Sequence, residues 1–243
     1  MAITIGSGIT VGAGVTMTPT YDLVTSGLLL NFDAATYSGS GNWIDGVSGV
    51  QAVPSNNPAW SSSNGGTFVL SAPAVQYFTV PWPTFQPTYT IDIWFNFTAN
   101  QVNLAPCLIS DDFSGNFNFT INASSNSLQT GWYSTNWEGQ YATNNIPTAL
   151  THDGSTWYNI TMAVGASEYE DYINGAVTYA PGDFGGGAAP NGSGSRQRFY
   201  IGKRWDLTDT VNAKMAVVNI YNRALTDVEV AQNFNHYRSR FGL

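Results

Sequence analysis

Apolar and polar residues alternate along several short stretches of the chain, and this two-residue period is typical of strands that bury one face. The longest stretch is 89–98, where every second residue from Tyr89 to Phe97 is apolar and the residues between them face the opposite side. Asn174-Gly175 joins two further stretches, and this dipeptide favours the type I′ turn of a hairpin. The same pattern predicts strands at residues 28–32, 67–70, 75–80, 117–122, 158–164, 198–202 and 214–221.

The order of these elements predicts the fold class. Many short strands are separated by turns, and no strand alternates with a helix, so we expect an all-β protein built as an antiparallel β-sandwich. One helix is predicted near the end, because Thr226 and Glu229 form a capping box ahead of apolar residues through Phe234. The glycine-rich segment 181–195 is interpreted as a surface loop inside this domain, which we place at residues 21–243.

The beginning of the chain carries a short repeat. Residues 3–20 form three successive hexads, each starting with an apolar residue, Thr and a second apolar residue. A repeat this short cannot bury its apolar face alone, so it is expected to pack against copies of itself or against another protein. We predict that residues 1–20 form an anchoring or oligomerisation arm and that the protein is a trimer; a flexible tail is the alternative. The apolar positions of the arm are Ile3, Ile5, Ile9, Val11, Val15 and Met17.

Composition and charge make several classes of protein improbable for this chain. Charged residues make up 10% of the chain and the net charge is −8, which disfavours a nonspecific nucleic-acid binder because such proteins need a basic surface. The single cysteine, Cys107, excludes an internal disulfide, and its apolar neighbours predict a core position. The first residues lack the regions of a secretion signal, and no segment approaches about 18 apolar residues. We expect synthesis in a cytoplasm and no membrane insertion.

Several segments carry a resemblance to a known family. They are 28–35 (LLLNFDAA), 89–95 (YTIDIWF), Trp157 with 172–175 (YING), and 200–205 (YIGKRW) followed by 217–243. In this order they resemble the laminin G-like branch of the concanavalin A-like lectin/glucanase superfamily, in the version found in structural proteins of tailed bacteriophages. The resemblance implies a jelly-roll sandwich, virion proteins as partners and no required cofactor. It leaves function open, since the superfamily includes lectins, hydrolases, adhesion modules and inert virion parts.

Catalytic carboxylates are the first candidates for chemistry. Hydrolytic members of the resembled superfamily carry paired glutamates on one strand, in a pattern such as E-x-D-x-x-E, whereas this chain has four glutamates in all. Glu229 belongs to the capping box, and Glu168 and Glu170 alternate on a predicted strand with Asp171 on its other face. His152 and His236 have neither a Gly-x-Ser-x-Gly elbow nor a cysteine partner. We therefore expect no enzymatic activity.

Sugar sites combine aromatic rings with neutral hydrogen-bonding groups, and residues 129–145 supply both. The same aromatic residues suit packing at the sandwich edge or a protein interface equally well, and both alternatives stay open. The candidate glycan-binding residues are Trp132, Tyr133, Asn136, Trp137 and Tyr141.

An oxygen-rich turn offers a candidate metal site. Asp111 and Asp112 are followed by Ser114 and Gly115, and laminin G-like relatives often hold calcium at a rim of the sandwich. The turn lacks the dense D-x-D-x-D-G spacing of a dedicated calcium loop, so a turn without metal is the alternative. Asp33 and Asp45 are weaker candidates for the same role.

The leading hypothesis is a non-enzymatic virion structural protein, either a capsid decoration protein or a small head or tail appendage. Its arm would anchor it, and its sandwich would be displayed outside the particle with weak adhesion to host-surface polysaccharide. A dedicated carbohydrate-binding receptor module of a tail fibre is the first alternative. The second is a polysaccharide-degrading glycosidase that uses Glu168 and Glu170.

Overall fold

The computed structural model describes residues 21–81, 83, 88–98, 107–112, 118–122, 127–131, 144–146, 150–166, 168–183, 198–204 and 210–243. Strands in this part of the chain form two antiparallel sheets that pack as a sandwich, which confirms the predicted fold class. The strands are β1 (Leu28–Asp33), β2 (Trp43–Ile44), β3 (Gln51–Ser55), β4 (Ala59–Ser61), β5 (Thr67–Leu70), β6 (Tyr77–Pro81), β7 (Tyr89–Phe97), β8 (Cys107–Asp111), β9 (Asn118–Asn122), β10 (Ser127–Gly131), β11 (Asn144–Ile146), β12 (Trp157–Val164), β13 (Glu168–Ile173), β14 (Ala176–Asp183), β15 (Arg198–Ile201) and β16 (Ala213–Tyr221).

One sheet, called here the helix-covered sheet, has the order β14-β13-β12-β7-β16-β5-β4. Strand β16 lies at its centre and pairs with β7 along one edge, while its other edge is shared between β5 and β1. A bulge between Met215 and Val217 separates these two pairings. The opposite sheet has the order β11-β10-β9-β8-β15-β6-β3-β2.

The space between the sheets is filled by apolar side chains. From β7, Ile91, Ile93 and Phe95 point inward and are at most 1% exposed. Val80 and Ile201 of the opposite sheet belong to the same buried cluster. Each such side chain stabilises the fold by about 1.5–3 kcal/mol relative to an exposed position. The alternation along residues 89–98 therefore predicted the inward face correctly.

Helix α1 (Asp227–Tyr237) and a following 3-10 turn (Arg238–Phe241) cover the outer face of the helix-covered sheet. The capping box is confirmed, because the Thr226 hydroxyl accepts from the Glu229 backbone N–H and the Glu229 carboxylate accepts from the Thr226 N–H. The ring of Phe234 stacks on Trp94 with centroids 5.6 Å apart, and Phe241 lies 4.5 Å from the same indole. The outward face of β7 is thus a second buried interface.

The segment just before β1 is tied to this helix. The Gln232 carboxamide donates to the Asp22 carbonyl at 2.7 Å, and the Asn233 Oδ1 atom accepts from the Val24 N–H at 2.9 Å. The Val24 carbonyl accepts from the Tyr221 hydroxyl at 3.0 Å. These bonds connect the start of the described chain to the helix and to the central strand β16.

A network of polar side chains centred on Asp92 lies under the helix. Asp92 Oδ1 accepts from the Asn159 carboxamide at 2.5 Å and from the Thr161 hydroxyl at 2.9 Å, and Asp92 Oδ2 accepts from Asn219 at 2.9 Å. Asn219 Oδ1 in turn accepts from the Asn31 carboxamide at 2.6 Å. Burial raises the pKa of Asp92, and the three hydrogen bonds oppose this rise only in part.

The hairpin predicted at Asn174-Gly175 joins β13 to β14. Asn174 and Gly175 have φ values of 51° and 73°, as the type I′ turn requires at both central positions. A Cβ atom on Gly175 would lie 2.8 Å from Phe234, so the helix approaches this turn closely. Glycine is therefore required at position 175 by the positive φ and by the close contact with Phe234.

Two boundaries differ from the sequence expectation. The strand predicted from residue 75 begins at Tyr77, because Val75 has a left-handed φ of 51° that no strand residue adopts. Strand β14 continues through Asp183, into the segment expected to be a loop. Cys107 is buried as predicted. No helix in the described ranges is long and apolar enough to cross a membrane.

Candidate functional site

The two groups of residues that the sequence favoured for binding fall outside the described residues. These are the glycan candidates Trp132, Tyr133, Asn136, Trp137 and Tyr141, and the arm positions Ile3, Ile5, Ile9, Val11, Val15 and Met17. Both assignments stay predictions.

The calcium candidates Asp111 and Asp112 lie at the end of β8. Asp111 is 1% exposed, and the Asp112 carboxylate lies 3.4 Å from the Arg198 guanidinium on the neighbouring strand β15. Ser114 and Gly115, which complete the predicted turn, fall outside the described residues. Among the residues that the structure does describe, no three His, Cys, Asp or Glu side chains are grouped to hold a metal ion. Calcium binding at this rim stays a prediction.

The weaker calcium candidates bind protein donors. Asp33 Oδ1 lies 2.6 Å from Arg240 Nη1, in an ion pair that ties β1 to the end of the chain. Asp45 is buried, and its carboxylate accepts from the Asn31 backbone N–H at 2.5 Å and from the Ser48 hydroxyl at 2.7 Å. Both side chains therefore hold the fold together at this end of the sandwich.

The glutamates of β13 differ in their surroundings. Glu168 is exposed, whereas Glu170 Oε2 accepts from the Tyr172 hydroxyl at 2.6 Å. The same hydroxyl lies 2.8 Å from Asp227 Oδ1 at the start of helix α1. Burial and the two carboxylates raise the pKa of Tyr172, so its hydroxyl keeps its proton. Asp171 is buried, and its side chain is on the other face of the strand.

A groove that the sequence did not single out opens at the edge of the sandwich beside β2, β3 and β4. It encloses about 310 Å³, at the lower end of the range of roughly 300–1,000 Å³ for small-molecule sites. No charged side chain lines it, and it combines aromatic rings, prolines and two asparagines. We call it the Tyr37 groove; it is lined by Tyr37, Gly41, Asn42, Pro54, Asn57, Pro58, Phe68 and Phe78.

Aromatic rings support one another from the core out to this groove. Phe78 and Phe68 form its buried floor, with ring centroids 4.8 Å apart in an edge-to-face arrangement. Tyr37 packs edge-to-face on Phe68 at 4.8 Å and lies 6.1 Å from Trp60. The Trp60 indole N–H donates to the Ala34 carbonyl at 3.0 Å. The partly exposed rings are thus fixed by the core behind them.

The loop on the other side of the groove is held in an unusual backbone conformation. Asn56 and Asn57 have φ values of 54° and 49°, in the left-handed region. The Asn56 carboxamide donates to the Ala74 and Val75 carbonyls, each at 3.1 Å. In the other direction, the Gln76 carboxamide donates to the Asn56 and Asn57 carbonyls at 2.9 and 3.0 Å. The position of Asn57 is therefore fixed by the neighbouring loop.

A laminin G family model, described as the concanavalin A-like lectin/glucanases superfamily, matches residues 71–231, which is more than half of the chain. The chain belongs to this superfamily. Membership confirms the resemblance to this superfamily, and the resemblance to the version in phage structural proteins stays a prediction. Most residues of the Tyr37 groove precede the matched segment. No curated protein sequence matches the chain.

Solved structures with the superfamily sandwich resemble the chain at low sequence identity, and they show the fold alone. Domain 4 of the arabinanase AbnA from Geobacillus stearothermophilus, in complex with arabinotriose, is 13% identical with a TM-score of 0.65, over 85% of this chain and 97% of that one. The binding domain of Paraclostridial Mosquitocidal Protein 1 is 15% identical with a TM-score of 0.68, over 87% of this chain and 52% of that one.

A third similar structure is the ligand-binding domain of botulinum neurotoxin serotype D in complex with N-acetylneuraminic acid. It is 12% identical with a TM-score of 0.64, over 86% of this chain and 50% of that one. The chain thus spans about half the length of these two toxin domains, whereas it corresponds to nearly all of the arabinanase domain.

Proposed function

We propose that this superfamily member is a non-enzymatic structural protein of a bacteriophage particle and that its sandwich binds glycan on the host surface. The observation that carries the glycan-binding part is the Tyr37 groove, which joins fixed aromatic rings to neutral amides. The fold supports it, because two similar sandwiches were solved with arabinotriose or N-acetylneuraminic acid.

The contacts of the described glutamates support a non-enzymatic role. Most glycosidases use two carboxyl groups that flank one sugar bond, about 5–10 Å apart and open to substrate. Glu229 pairs with Arg223 through two contacts of 2.7 and 2.8 Å, and Glu170 binds the Tyr172 hydroxyl. Glu168 is exposed on β13, and Glu170, two residues later on the same strand, already accepts from the Tyr172 hydroxyl.

The virion assignment rests on the sequence. The hexads of residues 3–20 and the resemblance to phage structural proteins support an arm that joins the particle, with other virion proteins and two further copies of the chain as partners. The proposed location is the capsid surface or a small head or tail appendage. A cofactor is not required for this role, and calcium at the Asp111 rim would be an addition to it.

A dedicated receptor module is the second candidate, favoured by the similarity to toxin binding domains. In that case glycan recognition would be essential for adsorption. Phage particles that lack the protein would then lose adsorption to the host, whereas particles that lack a decoration protein would still adsorb.

Three measurements test the proposal. Mass spectrometry of purified particles should detect the protein, and deletion of residues 1–20 should abolish its incorporation. An array of bacterial surface oligosaccharides should bind the full chain. Incubation with host polysaccharide should release no fragments. Cleavage that disappears in a Glu168→Gln/Glu170→Gln double variant would overturn the non-enzymatic assignment, and absence from particles would overturn the structural one.

A further inference from the structure

We infer that the Tyr37 groove is the binding site for an uncharged saccharide. This inference rests on the proposed glycan-binding function and adds the location of the site and the class of ligand. It places recognition at residues 37–78 and not in the aromatic segment 129–145 that the sequence favoured.

The aromatic side of the groove suits the apolar face of a sugar ring. A pyranose presents several C–H groups on one face, and these hydrogens are attracted to the negative face of an aromatic ring. The Tyr37 hydroxyl donates to the Gly41 carbonyl at 3.1 Å, and the ring packs against Phe68 in an edge-to-face pair. Because both ends of the side chain are held, little rotamer freedom is left to lose when a sugar binds.

The polar side of the groove suits sugar hydroxyls. Within the described part of the chain, the Asn57 carboxamide makes no hydrogen bond, so its oxygen and its NH₂ group are both available. The Asn42 carboxamide donates to Gln51 Oε1 at 2.7 Å and keeps its oxygen as an acceptor. A hydroxyl both donates and accepts, and a carboxamide can match both functions.

The charge of the groove selects the class of saccharide. None of its eight lining residues is charged, and the whole chain has a net charge of −8. A uronic or sialic acid bound here would lose hydration of its carboxylate without gaining a cationic partner. An uncharged sugar has no such cost. The groove volume of about 310 Å³ fits a short saccharide unit.

The experiment uses an array that presents neutral oligosaccharides of glucose, galactose, mannose, rhamnose and arabinose beside oligosaccharides that contain uronic or sialic acid. The tightest-binding neutral oligosaccharide is then titrated into wild-type protein and variants by calorimetry. Tyr37→Ala removes the ring, and Asn57→Gly removes the carboxamide while still permitting the positive φ. Val53→Ala is the matched control. Val53 is exposed on β3, next to the lining residue Pro54, but does not itself line the groove.

We expect binding of neutral oligosaccharides and a Kd about tenfold higher for Tyr37→Ala, corresponding to one lost stacking contact. Asn57→Gly should weaken binding severalfold, and Val53→Ala should leave it unchanged. Backbone amide shifts of the wild-type protein give a readout that needs no variant. On addition of the neutral oligosaccharide, they should change at residues 37–42 and 55–57.

Failure of the inference can be told apart from failure of the proposed function. Binding that persists in Tyr37→Ala but disappears in Trp137→Ala would move the site to the aromatic segment and overturn the inference alone. A preference for acidic oligosaccharides would do the same. An array that binds no wild-type protein would overturn glycan binding itself, and the groove assignment with it.

Discussion

The two faces of strand β7 are both buried, yet different chemistry buries them. The inward face contributes Ile91, Ile93 and Phe95 to an apolar core, where shape and volume are the main requirements. The outward face contributes Trp94 to an aromatic cluster and Asp92 to a hydrogen-bonded network under helix α1. One strand therefore supports one interface that needs only apolar volume and another that needs particular partners.

The difference matters because a buried polar group left without its partner costs more than its hydrogen bond contributes when formed. The apolar core should tolerate swaps that conserve volume. The network around Asp92 should not, because each of its donors depends on the same carboxylate. The helix-covered face therefore requires particular hydrogen-bond partners, whereas the inner face requires only apolar side chains of suitable volume.

The largest effect is expected from Ile93→Asp, which puts a carboxyl group into the apolar interface. Ile91 and Phe95, the neighbours of Ile93 on the same face of β7, carry no hydrogen-bond donor. The cost should exceed about 5 kcal/mol, comparable to the whole stability of many domains. Near-ultraviolet circular dichroism should show no fixed tertiary structure. Ile93→Val, the control, should cost about 1 kcal/mol. Cooperative unfolding of Ile93→Asp would contradict the comparison.

Asp92→Ala on the opposite face should destabilise the protein by about 3 kcal/mol, because it leaves the Asn159, Thr161 and Asn219 donors without their acceptor. Urea denaturation measures the change. Asp92→Asn retains one acceptor oxygen and should lose less stability than Asp92→Ala. Equal stability of Asp92→Ala and wild type would show that the network contributes nothing beyond packing.

Gly175→Ala tests how closely the helix must approach the β13–β14 hairpin. The added Cβ atom would lie 2.8 Å from Phe234, in addition to the cost of the positive φ, and we expect a loss of about 2–4 kcal/mol. Gly49→Ala is the control, because Gly49 has φ 76° and no heavy atom within 4 Å of a Cβ atom. It should lose about 1 kcal/mol. If both variants lost the same stability, helix α1 would move away from the added Cβ atom at no cost.

The smallest effects are the opposite pH dependences of Asp92, on the outward face of β7, and Glu229, in helix α1. Burial raises the pKa of Asp92, so its contribution to stability is present at low pH and is lost as pH rises through its folded pKa. The Arg223 contact lowers the pKa of Glu229 to about 2, so its contribution is present above the ordinary glutamate range and is lost as pH falls through about 2.

Urea denaturation across pH checks both signs. The stability difference between wild type and Asp92→Asn should shrink as pH rises from about 4 to 8. The difference between wild type and Glu229→Gln should grow by about 1 kcal/mol or less as pH rises from about 2.5 to 5, because the pair is partly exposed. If the two stability differences changed in the same direction with pH, the environments assigned to Asp92 and Glu229 would be contradicted.

Features that depend on neighbouring residues could be predicted from the sequence. The period along β7, the Asn174-Gly175 turn and the Thr226/Glu229 capping box each involve residues within one element, and all three are confirmed. The surroundings of Asp92 could not be predicted in this way. Its partners Asn159 and Asn219 are 67 and 127 residues away along the chain. A polar residue on an alternating strand gives no sign that a helix will cover it.

The Tyr37 groove escaped sequence analysis for a similar reason. Its loop carries a recognisable turn signal, Asn56-Asn57-Pro58, but its aromatic rings come from separate elements that meet only in the fold. The segment 129–145 attracted attention because its aromatics are close in sequence. Proximity along the chain is thus a weak guide to a site assembled at a sandwich edge.

The bonds between the first described residues and helix α1 also determine how the domain carries mechanical load. A pull on the chain ahead of Tyr21 reaches Asp22 and Val24, which are bonded to the helix and to Tyr221 of β16. The force is therefore shared between these three bonds and strand β1, which follows along the chain and pairs with β16. The three bonds would have to break before a pull from the amino-terminal side loads β1 alone, so they act as a clamp ahead of the first strand.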